Sequence, residues 1–295
     1  MKSYILILSI FISLNQFVFS QDLLSELGEE TNPNQKVTNA FKSPRVINSH
    51  SMEMLAAGAL DFRILHRFGN INEGYKQFFG LDNATMRMGF DYGITKNITV
   101  GLGRSTFKKE LDGFLRYRIL WQSTGAKSMP VSVVWTSGFV RNGEENPLSD
   151  RELKVTFERR MSYYHQLIIG RKFTERISAQ ISPTVIHTNI VNNELIPNDL
   201  LAIGIGGRFK FTKRMAFVID YAYPMNNFPR DLSTHPLSIG IDIETGGHVF
   251  QLHFSNATGM NERAFINEEN GKWLDGDIQF GFNLSRVFQI KKNKI

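Results

Sequence analysis

From Met54 onward, apolar and polar side chains alternate almost without a break. Leu60, Phe62 and Ile64 alternate with Asp61 and Arg63. Met86, Met88, Phe90, Tyr92 and Ile94 alternate with Arg87, Gly89, Asp91 and Gly93. Successive side chains of a strand point to opposite faces, so each run predicts a strand with one apolar and one polar face. Ten further runs follow, near Ile98–Leu102, Leu115–Trp121, Val131–Phe139, Met161–Phe173, Ile177–His187, Leu201–Phe211, Met215–Tyr223, Leu237–Ile243, Phe250–Phe254 and Ile278–Leu284. Those at Met161–Phe173 and Ile177–His187 have no clean parity, and their facing stays open.

The joins between runs sort by order. Ile94-Thr95-Lys96-Asn97-Ile98, Phe173-Thr174-Glu175-Arg176-Ile177 and Phe211-Thr212-Lys213-Arg214-Met215 share one short pattern. They join runs two to three, six to seven and eight to nine; Glu244-Thr245-Gly246-Gly247 joins ten to eleven as tightly. Odd-to-even joins are mostly longer, at 69–83, 141–159, 189–198, 224–236 and 256–275. The join near Lys108 is a short exception, and the one near Ser123 is of middling length. A membrane barrel needs short turns on its periplasmic side and tolerates long loops outside, whereas a sandwich has no reason to sort its loops. The strands built on these runs, flanking residues included, are roughly 9–13 residues long, near the ~9–11 a tilted strand needs to cross. The predicted fold is all-β, a twelve-stranded antiparallel transmembrane barrel of the outer membrane. A soluble periplasmic β-sandwich is the alternative.

The first residues set the compartment. Lys2, the apolar stretch Tyr4–Leu14, Val18 and Ser20 read as a secretory signal cleaved before Gln21. The expected organisation is a signal peptide (1–20), a polar, extended or partly ordered lead-in (21–50), a barrel (51–290) and a basic tail (291–295). No later segment approaches 18 uninterrupted apolar residues, so no helical span is expected. Aromatics reach 12%, which favours strands and membrane interfaces. The chain has no Cys, which excludes disulfides, a thiol nucleophile and thiolate metal sites. The net charge of +6 is dispersed among aromatics and does not imply nucleic acid.

A cation facing lipid at the midplane costs roughly 2–4 kcal/mol. Asp61, Arg63, Arg87, Asp91, Arg116, Arg118, Arg208, Lys210, Asp220 and Asp242 are therefore expected to line the lumen. Tyr92, Tyr117, Trp121, Trp135, Tyr221 and Tyr223 fall near strand ends, where interfacial girdles sit. The segments FKSPRVINSHSMEMLAAGALDFRILHRFG, LDNATMRMGFDYGIT, GRSTFKKELDGFLRYRIL and SPTVIHTN span most of the mature chain. On these, the chain resembles the membrane-bound β-barrel domain family of unknown function found in Bacteroidetes. The resemblance implies an outer-membrane barrel and carries no chemistry with it.

No catalytic, cofactor or metal site is expected. His66, His165, His187 and His253 lie on strands without His-x-His or His-x-x-x-His spacing. His66 reads as an interfacial residue at a strand end. His253 and Ser255 share lumen parity, the wrong face for a lipid-cleaving pair. Gly204-Ile205-Gly206-Gly207 sits in a strand with no helix after it, so it cannot cradle phosphate. The Arg and Asp set leaves two readings. As an open lumen it would select small solutes through Arg116, Arg118 and Arg208; as a filled one it would be a salt-bridged plug. The expected partners are the bilayer, a small solute in the first case, and a molecule outside met by the 256–275 loop in the second.

Overall fold

A computed structural model describes residues 34–144, 156–191, 196–225, 234–268 and 271–291. The expected signal peptide, and the basic tail beyond Lys291, lie outside the described residues. Twelve strands form one closed antiparallel barrel. In chain order they are β1 (Ala59–Asn70), β2 (Ala84–Thr95), β3 (Ile98–Ser105), β4 (Leu111–Leu120), β5 (Ser132–Arg141) and β6 (Met161–Lys172). The second half comprises β7 (Ile177–Thr188), β8 (Asp199–Lys210), β9 (Met215–Pro224), β10 (Leu237–Thr245), β11 (His248–Ser255) and β12 (Gln279–Gln289). Each strand pairs with its sequence neighbours, and β12 closes onto β1, with Phe282 opposite His66 and Leu284 opposite Ile64. Closure leaves no unpaired sheet edge, the condition a bilayer imposes on strands.

The apolar rows face outward. Phe90, Leu102, Leu115, Ile181, Leu201, Ile205, Phe217 and Leu252 are all exposed. This arrangement excludes the sandwich alternative, which would bury those rows against a second sheet. β6 and β7 take a definite facing. Tyr163, His165 and Arg171 point out, while Tyr164, Gln166 and Ile168 point in. On β7, Gln180, Ser182, Thr184 and Ile186 point in. At the β10–β11 turn, Gly246 and Gly247 both have positive φ (46° and 100°), the requirement of a two-residue turn of the hairpin type.

The barrel is not hollow. The segment Ala40–Met52 runs inside it, with Phe41, Val46, Ile47 and Met52 buried. Phe41, Val46 and Met52 pack with Val134 and Ile168 of the wall. The first part of the lead-in, 21–33, lies outside the described residues; for residues 40–50 the reading as an extended or partly ordered stretch is corrected here. Its apolar residues are few, yet the wall's polar side chains bind its main chain. From the other end, the β11–β12 loop turns inward as helix α1 (Glu262–Asn267), capped by the Asn261 side chain accepting from the Ala264 N–H at 3.0 Å. Ala257, Phe265 and Ile266 pack with Phe114, Val140, Tyr164, Ile186 and Leu200. The 256–275 loop therefore spends most of its apolar surface on the lumen rather than on an outside partner. Its far part remains outward, with Leu274 fully exposed.

Candidate functional site in the barrel lumen

Nine of the ten lumen candidates are buried inside the barrel: Asp61, Arg63, Arg87, Asp91, Arg116, Arg118, Arg208, Asp220 and Asp242. Lys210, the last residue of β8, is only half-buried. The buried charges fall into two kinds. Some pair along the wall. Arg63 contacts Asp61 and lies 4.0 Å from Asp91. Arg87 grips Asp112 with two hydrogen bonds, at 2.8 and 2.5 Å. Arg208 lies 3.9 Å from Asp242 and 3.2 Å from Glu244.

The others hold the N-terminal segment. The turn between Arg45 and His50 points three main-chain N–H groups at one carboxylate. Asp220 Oδ2 accepts from Ile47 (3.2 Å), Asn48 (2.7 Å) and Ser49 (2.8 Å), and Oδ1 accepts from Ser49 Oγ (2.7 Å). Arg116 donates to the carbonyls of Pro44 (3.4 Å) and Ser51, and Arg118 to that of Met52. Gln180 donates to the His50 carbonyl at 2.7 Å and accepts from the Met52 N–H at 2.8 Å. Gln251 and Asn283 donate to the carbonyls of Val46 (2.6 Å) and Ile47 (3.1 Å). Main-chain polar groups buried in this way need partners, and the strands supply them.

Both inward segments meet at Glu262. Its Oε1 lies 3.2 Å from Arg45 Nη1 and 3.2 Å from His50 Nε2, and His50 is also 3.3 Å from the Tyr164 hydroxyl. Burial, offset in part by Arg45, raises the Glu262 carboxyl above the usual range. Burial, and then the positive charge of Arg45 and Arg116, holds the His50 imidazole well below its ordinary value. On the loop side, Arg263 contacts Glu110 and binds Glu268 at 2.6 Å, and Asn261 donates to Glu110 at 2.5 Å. One helix thus ties the N-terminal segment to the β3–β4 loop.

The sequence reading missed Arg45, His50, Asp112, Glu110, Glu262 and Arg263. Asp112 has the parity of Arg116, but lies before the regular run begins. Among the described residues, no three His, Asp or Glu side chains converge as metal ligands. His253 and Ser255 both face inward. Ser255 Oγ pairs with Ser238 Oγ at 2.7 Å, and neither nitrogen of His253 has a hydrogen-bond partner. His66 faces outward, stacked on Phe282 with ring centroids 4.8 Å apart. Among the described residues, no helix is long and apolar enough to cross a membrane.

A closed sheet, apolar without and polar within, is the architecture of a membrane β-barrel. The profile of one family matches residues 41–288, and the chain belongs to that family, the Membrane bound beta barrel domain (DUF5777). No curated protein sequence matches it. Among solved structures it is similar to an outer membrane channel from Pseudomonas putida F1, at 12% identity, TM-score 0.49, covering 80% of this chain and 98% of that one. It is also similar to the NanC porin (9% identity, TM-score 0.48, covering 79% and 100%). A third similar structure is the KdgM porin (6% identity, TM-score 0.45, covering 78% and 99%).

Proposed function

We propose that this protein is an integral outer-membrane barrel that conducts nothing in its resting state, because its own chain fills the lumen from both ends. The short turns and both barrel termini lie on the periplasmic side, and the long loops face outward. The protein carries no enzymatic activity and acts as a scaffold for its outer surface. The observation that carries this reading is the meeting of Arg45 and His50 with Glu262. A path between the two aqueous sides must break that contact.

One observation favours a second state. The Ala40–Met52 segment belongs to no strand of the barrel, so it can withdraw without opening a sheet hydrogen bond. Arg116 and Arg118, which now bind its carbonyls, would then line a path selective for small anionic solutes. Planar-bilayer recording tests both readings. Full-length protein should give no conductance steps. Deletion of 38–52 together with 257–267 should give steps that favour anions. Regular steps from the intact protein would refute the resting reading; silence from the double deletion in folded protein would refute the second.

A further inference from the structure

The outer face carries two cations where the apolar band ends. Arg104 of β3 and Arg141 of β5 have outward parity at the loop ends of their strands. Register puts them in one row, Arg104 opposite Leu111 and Leu111 opposite Arg141. Two strand spacings separate them, about 10 Å between main chains. Among the described residues no carboxylate pairs with either one. Arg104 is fixed by donating Nη1 to the main-chain oxygens of Ser105 (2.5 Å) and Glu110 (3.2 Å), which leaves its other N–H groups available. Arg141 lies over the exposed Phe157 ring at 5.1 Å.

Directly below this row the barrel surface is notched. The next outward row reads Leu102, Gly113, Phe139 and Tyr163. Gly113 leaves a groove of about 700 Å³ walled by Leu102, Phe139, Tyr163, Phe90 and Leu115. A Cβ at Gly113 would stand 2.8 Å from the Phe139 ring and 2.9 Å from Leu102. The groove continues the lipid-facing band, and the two guanidiniums above it carry the charge and the N–H donors that pair with a phosphate.

We infer that this face binds one phosphate-bearing lipid of the outer leaflet, its phosphate between Arg104 and Arg141 and an acyl chain in the groove at Gly113. The inference rests on the orientation proposed above, with the 106–110 loop outside. Cations at that level cost little against the interface, so their position needs no carboxylate.

The test uses the full chain in detergent, diphosphoryl lipid A as the probe and native mass spectrometry as the readout. An acyl-matched lipid without phosphate is the control. The intact protein should hold one lipid A at least tenfold more tightly than the R104Q/R141Q variant, and at least tenfold more tightly than the control lipid. Gly113→Ala should weaken it as well. The variant R171Q/R286Q removes outward cations at the opposite ends of β6 and β12 and should bind as the intact protein does. Heat-dependent gel mobility checks that each variant is folded. Equal binding by R104Q/R141Q, equal loss in R171Q/R286Q, or equal binding of the phosphate-free lipid would overturn the inference. Orientation is read separately. Lys76→Cys, in an exposed loop of a chain without cysteine, should react with an impermeant maleimide on intact cells. Labelling only after the outer membrane is opened would refute the orientation, whatever the lipid result.

Discussion

Removing the Asp220 carboxylate should release the N-terminal segment from the wall. Its two oxygens accept four hydrogen bonds from residues 47–49, three of them from main-chain N–H groups. Hydrogen bonds to a charged group contribute about 1.5–3 kcal/mol each, and breaking a buried charged network by removing one partner costs about 3–5 kcal/mol. Asp220→Ala leaves three buried main-chain N–H groups and the Ser49 hydroxyl without an acceptor, which places the loss near ~4 kcal/mol. Asp220→Asn keeps one acceptor oxygen without its charge. Charge-assisted bonds are roughly twice as strong as neutral ones, so its loss should be about half, near 2 kcal/mol. At tenfold per ~1.4 kcal/mol, local opening of the turn should rise roughly a thousandfold for Ala and about thirtyfold for Asn. Hydrogen exchange read by mass spectrometry on peptides covering residues 45–52 measures this directly. Strand peptides from β3 and β4 should keep their protection. If residues 47–49 exchange in Asp220→Ala as slowly as in the intact protein, the carboxylate does not hold the segment, and the occlusion argument loses its anchor.

Other consequences follow from the same geometry. Ile205→Lys puts a cation on the lipid face in the middle of β8 and should destabilise the bilayer-inserted protein by about 2–4 kcal/mol, measured by denaturant unfolding in liposomes. Gly103→Ala would set a Cβ against the Arg87 guanidinium that grips Asp112, and should cost about 2–3 kcal/mol in the same assay. Burial lowers the proton affinity of His50 in the folded protein. The unfolded chain therefore takes up the extra proton, and this contribution is full above pH ~6.5 and lost as pH falls below it. Relative to His50→Gln, the intact protein should lose at most about 2 kcal/mol between pH 7 and pH 5, read from paired melting curves. An intact protein that loses stability relative to His50→Gln as pH rises from ~5 to ~7 would contradict the sign.

The barrel was legible because lipid imposes a strict rule on the outer face. Phe62, Phe90, Leu115, Phe217 and Leu252 alternate with polar residues, and this parity sets the facing of ten of the twelve strands; the loop asymmetry is read from the lengths of the joins. The β6 parity was obscured because Tyr164 and Ile168 are apolar inside, where they pack on α1 and on the N-terminal segment, while His165 and Arg171 are polar outside. The filling of the lumen had no periodic signal. Residues 40–52 are held mainly through main-chain N–H and C=O groups, which no side-chain pattern records. One trace was present, however. Arg116 and Arg118 share the lumen side of β4, and Asp112 on the same side pairs instead with Arg87. Something other than a neighbouring acid had to take up those cations, and carbonyls of the plug do so.

A spin-label scan along β9 tests the whole account most directly. The chain has no cysteine, so single cysteines from 215 to 224 can be introduced one at a time and labelled in the bilayer. The account predicts that Phe217, Ile219 and Tyr221 are open to oxygen dissolved in lipid, while Val218 and Ala222 are shielded both from oxygen and from a water-soluble nickel relaxant; position 220 is left out, because replacing its carboxylate releases the plug. Nickel access at the inward positions would mean a water-filled lumen, and oxygen access without alternation would mean that no bilayer surrounds this sheet.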